Sequence, residues 1–185
     1  MSGFRKFKKI SGHKLTFVDA AVSDAPFILG LRLDPAKGRH LSVTPSDLQL
    51  QIQWLENYRS DTSQLYYVIL DPGQRQVGTV RLYDQQGDSF CWGSWILIDG
   101  VPAGYSVESC LMVYQLALRL GFRNSHFSVR RENTSVCRFH EQFGASRVSE
   151  HDDEFRYQIN NEAIKRSLTR FNRYLPAGIQ IEDTE

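Results

Sequence analysis

The chain has 185 residues, 41% hydrophobic and 23% charged, which is enough to bury one sizeable core in a single domain. Its 22 Lys and Arg against 21 Asp and Glu leave a net charge of +1, so no nucleic-acid or anionic-membrane role can rest on bulk charge. No stretch approaches a membrane span, and Cys91, Cys110 and Cys137 are odd in number and lack metal-ligand spacing, so they read as reduced packing thiols in a cytoplasm.

Residues 1–14 hold Arg5, Lys6, Lys8 and Lys9, lack the apolar run of a leader, and read as a solvated basic segment. Leu15, Phe17 and Val18 mark a first strand over 15–20. Ser23 and Asp24 start a helix that ends at Asp34-Pro35. A polar loop over 36–43 follows, and the Thr44-Pro45-Ser46-Asp47 run then starts a helix over 48–58 with Leu48, Ile52 and Leu55 inside and Trp54 beside them. Residues 65–70 form a dense apolar strand, and the turn at Asp71-Pro72-Gly73 pairs it with a strand over 76–83. A second turn at Gln86-Gly87-Asp88 leads into a long strand over 89–98. Gly100, Pro102 and Gly104 form a loop before the longest helical pattern, 105–120, which Gly121 ends.

Phe127 and Val129 alternate with His126, Ser128 and Arg130, the period of a half-buried strand. Asn133 then sits at a helix N-cap position, Val136, Phe139, His140 and Phe143 share one helical face, and Gly144 stops the helix. A strand begins near Arg147, another covers 155–159, and a helix over 162–175 follows the Asn160-Asn161 cap. Residues 179–183 read as a tail.

The run from Asn133 through Phe139 and His140 to Gly144 resembles the final motif of the GNAT N-acetyltransferases, with His140 where that family usually has Tyr and Ala145 where it usually has Phe. The order of elements is also similar to that family over 15–159, leaving residues 1–14 and 160–185 outside the domain. The resemblance implies an α+β single domain, a mixed and mostly antiparallel central sheet flanked by helices. It also implies acetyl-CoA as co-substrate. Trp95, Ile96, Leu97 and Ile98 would lie beside the pantetheine arm, as an added strand would. Gly104, Tyr105, Ser106 and Val107 would meet the pyrophosphate at a helix N-terminus, with Asn133 and Phe139 on the opposite wall. The family's loop reads Gln or Arg, two residues, Gly, one residue, Gly or Ala. This chain has Val101-Pro102-Ala103-Gly104-Tyr105-Ser106, so the basic or Gln residue is missing and Ser106 stands at the last small position.

By the same resemblance His140 would donate a proton to the leaving thiolate as an imidazolium, or act as a base through a water. Its plain alternative is packing against Phe139 and Phe143. Ser94 is the second catalytic candidate. Tyr83, Asp84 and Glu108 are further candidates for the amine-activating base. Arg32, Arg39, His40, Arg81 and Trp92 would bind the acceptor, the guanidiniums holding a phosphate or carboxylate and the aromatics stacking.

The expected function is acetyl transfer from acetyl-CoA to a primary amine of a small molecule. The Leu31-Arg32-Leu33-Asp34 and Trp54-Leu55-Glu56-Asn57-Tyr58 stretches are more loosely similar to those of GNAT enzymes acting on amino-sugar nucleotides. The alternatives are a protein N-terminal (ribosomal-protein-like) acetyltransferase and an inactive acyl-CoA-binding module. Neither nucleic acid nor a membrane is expected as a partner, and a homodimer is left open.

Overall fold

The computed structural model describes residues 2–37 and 44–183. The chain opens with β1 (Phe7–Ser11), β2 (Thr16–Asp19), α1 (Ala25–Leu33) and α2 (Leu48–Ser60). Then come β3 (Leu65–Leu70), β4 (Gln76–Gln86), β5 (Ser89–Leu97), α3 (Gly104–Arg119) and β6 (Asn124–Arg130). It closes with α4 (Thr134–Gln142), β7 (Ser146–His151), β8 (Glu154–Ile159), α5 (Asn161–Arg170) and β9 (Gln180–Asp183). The nine strands form one sheet in the order β7-β8-β6-β5-β4-β3-β2-β1-β9. Every pairing is antiparallel except β5 with β6.

β3 shows why an unbroken apolar run is needed in mid-sheet. Tyr66 and Val68 pack with Ala25 and Ile28 of α1 and Leu55 and Tyr58 of α2. Leu65, Tyr67 and Ile69 belong to the larger core, which includes Leu111, Met112 and Tyr114 of α3. Strand side chains alternate between faces, so both faces of β3 are covered and neither carries a charged residue. The helix starts are also chemical. The Asp47 carboxylate accepts from Gln49 N–H at 2.8 Å and Asn160 Oδ1 from Ala163 N–H at 2.9 Å, each satisfying a first-turn donor.

The two ends depart from the sequence reading. The basic start is a sheet strand, with Phe7 and Ile10 buried and Lys8 and Lys9 between them in solvent. The expected tail is β9, antiparallel to β1 with Ile10 opposite Ile181. The last helix ends at Arg170, and a 3-10 turn over Asn172–Tyr174 follows it.

Buried Glu108 ties the first hairpin to α3. One of its carboxylate oxygens accepts from the backbone N–H groups of His13, Lys14 and Leu15 at 2.7–2.9 Å. The turn there runs so close that a Cβ on Gly12 would lie 2.7 Å from that oxygen. Glu108 was a candidate base, but its carboxylate is committed to this turn.

Candidate active site

The site starts from a gap in the sheet. β5 and β6 pair only at Ser89–Asn124 and Phe90–Ser125. Beyond Phe90 β5 keeps β4 on one side, with Ile96 opposite Thr79 and Leu97 opposite Gly78, and among the described residues has no strand on the other. Backbone groups on that side are left for an added strand-like ligand.

A bulge turns β5 at the mouth of the gap. The register shifts between Thr79 and Arg81, whose partners are Ile96 and Gly93, so Val80 alone faces Ser94 and Trp95. Ser94 adopts a left-handed backbone with φ 45°, uncommon for a residue with a side chain. Thr79 Oγ1 donates to its carbonyl at 2.8 Å, and Arg32 Nη1 donates to its hydroxyl at 3.2 Å. The bulge thus aims the Ser94 side chain at α1.

Two openings meet at Ser94. One, a cavity of about 140 Å³, lies in the gap, with Trp92, Trp95, Asn133 and His140 among its walls. The other, about 310 Å³, is walled by Arg32, Gln51, Trp54, Arg81 and Ser94. A third, broader groove of about 850 Å³ runs from Arg81 and Ser94 along the sheet to Asp84, Ser89 and His126.

The gap cavity has an aromatic lining. The Trp95 indole N–H donates to Ser109 Oγ at 3.1 Å, fixing the ring against α3, and Phe139 packs on it at 5.0 Å. His140 is 5% exposed and sits 4.3 Å from the Phe127 ring and 5.2 Å from that of Trp92. Its Nδ1 is buried without a hydrogen-bond partner among the described residues, and burial pushes its pKa down to about 3. The expected imidazolium is therefore corrected: His140 is neutral near pH 7. Asn133 takes the N-cap position of α4 but makes no side-chain cap bond, and its Oδ1 accepts from the Ser135 hydroxyl at 3.3 Å. The Asn133 side chain therefore stands at the cavity rather than being spent on the helix.

The opening at α1 and α2 carries the cations. Arg81 is half-buried, its guanidinium 5.3 Å from the Trp54 ring centroid and 4.7 Å from that of Tyr83, and its Nε donates to Gln64 Oε1. Burial lowers its pKa from the usual arginine value. Arg32 Nε donates to Thr44 Oγ1 at 2.7 Å. Arg39 and His40 lie outside the described residues. Trp92, expected to stack on the acceptor, is only 4% exposed and packs with Trp95, Tyr114 and Phe127. The rings that wall the opening are Trp54 and Tyr66. The spacing of Trp54 in α2 marked it as a flank of the apolar stripe, and nothing local to α2 announces Arg81, which a strand brings from 27 residues further along the chain.

Three titratable or hydroxyl groups stand together on the broad groove. The His126 ring contacts Ser89 Oγ through Nδ1 at 2.7 Å and Asp84 Oδ2 through Nε2 at 3.1 Å. Asp84 sits at a second register shift with φ 49°. Asp84 was a named candidate base. His126 and Ser89 were read only as strand residues, because their partners come from three different stretches.

The loop ahead of α3 tests the fit to a CoA-type ligand. Gly100 has φ 77°, which favours glycine, and Ala103 at the N-cap offers no side-chain cap. Tyr105 N–H turns back to Pro102 O at 2.9 Å, and the other first-turn N–H groups are left for an anion. Ser106 Oγ donates to Ala103 O at 2.8 Å, so its proton is spent inside the loop. Ile98 N–H is likewise taken, by Val77 O at 2.9 Å. Tyr105 and Val107 are half-buried in the first turn of α3. The free β5 edge, the open first turn and Asn133 suit a ligand of CoA shape, while the loop brings no cation of its own. Among the described residues no cluster of His, Cys, Asp and Glu suits a metal ion, and no helix is long and apolar enough to cross a membrane.

The acetyltransferase (GNAT) domain profile matches residues 14–146. A solved structure described as apo FdhC, a nucleotide-linked sugar GNAT, aligns with a TM-score of 0.80 at 32% identity, covering 90% of this chain and 98% of that one. A probable GNAT-family acetyltransferase from Chromobacterium violaceum aligns with a TM-score of 0.76 at 14% identity, over 89% and 91% of the two chains. A variant of the spermidine N-acetyltransferase SpeG from Vibrio cholerae aligns with a TM-score of 0.71 at 15% identity, over 85% and 98%. These last two likenesses speak to the fold alone. No curated protein matches the chain.

Proposed function

The chain belongs to the GNAT acetyltransferase family, and from that premise we propose that it acetylates the primary amine of a small anionic acceptor, an amino-sugar nucleotide, using acetyl-CoA. The observation that carries the acceptor class is the opening beside Ser94, walled by Arg32, Arg81 and Trp54. Two guanidiniums suit a diphosphate and an indole suits stacking on a base or sugar. A polyamine acceptor would meet like charge there, which disfavours the activity named for the SpeG relative. The FdhC relative is described as a nucleotide-linked sugar GNAT, in keeping with the anionic choice.

The co-substrate supplies an acetyl group activated as a thioester. The protein's own residues do the rest. Asn133 and the open first turn of α3 would hold CoA, and the unpaired side of β5 would orient its arm. Trp95 and Phe139 exclude water from the gap cavity, in which any hydrogen bond to a developing negative charge gains strength. Arg32 fixes the Ser94 hydroxyl where the two openings meet. An acceptor amine is protonated near pH 7 and must lose a proton before it attacks. The His126–Asp84 pair on the same groove is the group to receive it, through water. His140 borders the cavity as a neutral ring.

Thiol release from acetyl-CoA, measured with amino-sugar nucleotides, spermidine and peptide N-termini in parallel, tests the reading. Turnover of the nucleotides alone is expected. Turnover of peptide N-termini or spermidine instead would overturn the acceptor class, and tight CoA binding with no turnover of any amine would favour a binding module. Arg32→Ala and Arg81→Ala should each raise the acceptor KM about tenfold or more, the scale of a lost charge-assisted hydrogen bond, with kcat much less affected.

A further inference from the structure

The loop Val101-Pro102-Ala103-Gly104-Tyr105-Ser106 contains no cation, yet it opens a helix with no side-chain cap, of whose first-turn donors Tyr105 N–H alone, among the described residues, turns back to the loop, at Pro102 O. A doubly charged pyrophosphate held only by backbone dipoles would keep most of its charge unneutralised. Glu108, the carboxylate near this helix start, points at the backbone N–H groups of the β1–β2 turn rather than at the loop. The question is which side chain supplies the positive charge.

Two cations near this end of the sheet are already paired. Lys37 Nζ bonds Asp99 Oδ1, and Arg75 Nε lies 3.1 Å from Asp71 Oδ2. The third comes from beyond the stretch that the family profile matches. The 3-10 turn Asn172–Tyr174 lays the Tyr174 ring against the start of α3, so closely that a Cβ on Gly104 would lie 3.1 Å from Tyr174 Cε1. Arg173 Nη2 donates to the Tyr174 hydroxyl at 3.0 Å, with the guanidinium 4.8 Å from the ring centroid. Among the described residues Arg173 pairs with no carboxylate. The turn is anchored from below, with Leu175 buried and Ile179 N–H donating to Gln115 Oε1 at 2.7 Å. An exposed cation without a counter-ion, one ring away from an uncapped helix start, is thus held on a fixed support.

We infer that Arg173, steadied by Tyr174, is the phosphate-binding cation that the loop ahead of α3 lacks, and that it holds the pyrophosphate of CoA. The C-terminal turn then belongs to the ligand site. The inference rests on the CoA-dependent reading above, and the two can fail separately.

The test is calorimetric titration of the full chain with CoA, 3′-dephospho-CoA and pantetheine, before and after Arg173→Ala. The side chain is exposed, so the variant should fold, and an unchanged Tm checks this. The expected result is about a tenfold rise in Kd for both CoA and 3′-dephospho-CoA, the scale of one charge-assisted contact. Pantetheine binding should not change, Arg173→Lys should restore part of the affinity, and the loss should shrink with added salt. An unchanged CoA Kd in Arg173→Ala would remove Arg173 from the site and leave the family reading standing. A loss confined to CoA would overturn the pyrophosphate assignment. No CoA binding by the unaltered protein would sink the cofactor reading itself.

Discussion

His140 carries a measurable signature of its burial. The pKa of about 3 against 6.5 for a free imidazole means that the unfolded chain binds a proton here which the folded chain refuses. Stability from this group is fully present above pH 6.5 and is lost as pH falls toward 3, at about 1.4 kcal/mol per pH unit. His140→Phe should flatten that dependence: in urea unfolding at pH 7 and pH 5, the wild-type protein should lose roughly 2 kcal/mol more than the variant. Equal losses would show that the ring is hydrated. The same burial means that no limb of the pH–rate profile between pH 5 and 8 should belong to His140. His126, half-buried between Ser89 and Asp84, is the ring that stands on the acceptor groove, and His126→Gln should lower turnover with little change in CoA affinity. Helical spacing did place His140 beside the apolar stripe of α4. The stripe's other side is closed by Trp92 and Phe127, which α4 alone could not reveal.

At the scale of elements, most strands and helices follow from alternation, caps and glycine stops, and their observed ends fall close to those expected. The exceptions are physical. β1 buries Phe7 and Ile10 with two lysines between them, a spacing that reads as polar, and β9 is a short polar edge strand. β1 is held between β2 and β9, and β9 is held in the sheet by β1. Glu108 looked like a first-turn acid free to face a ligand, but the amides it serves lie more than 90 residues away. Glu108→Ala would leave three turn donors without their shared acceptor and should cost about 3 kcal/mol or more in urea unfolding. Gly78 faces Leu97 across the β4–β5 pair, and a Cβ there would stand 2.3 Å from Ile96 O. Gly78→Ala should push β5 away and destabilise by about 1–3 kcal/mol, as overpacking does, while also weakening CoA binding. Unchanged CoA affinity would separate the β5 edge from the ligand site.

For the whole molecule, the antiparallel run β3-β4-β5 was legible because sequence neighbours there are sheet neighbours, while the β1 and β9 edge was not. The composition of the site was less legible, since Arg32, Trp54, Arg81 and Ser94 arrive from four elements. The C-terminal segment was least legible of all, because the apolar spacing of α5 runs on through Phe171 and Leu175 and hides the turn between them. Ile179 is 2% exposed under that segment, and Ile179→Ala should lower stability by about 2–5 kcal/mol on denaturation.

The pairing of β1 with β9 also sets how the molecule yields to tension. Phe7 lies opposite Asp183 in an antiparallel ladder, so a pull on the two flanking residues loads its rungs one after another rather than all together. Such a ladder peels like a zipper. The next part to come loose is the strap from Ile179 back to Tyr174, and with it Arg173. A gentle stretch in an optical trap should therefore release CoA before the sheet around the β5–β6 gap gives way.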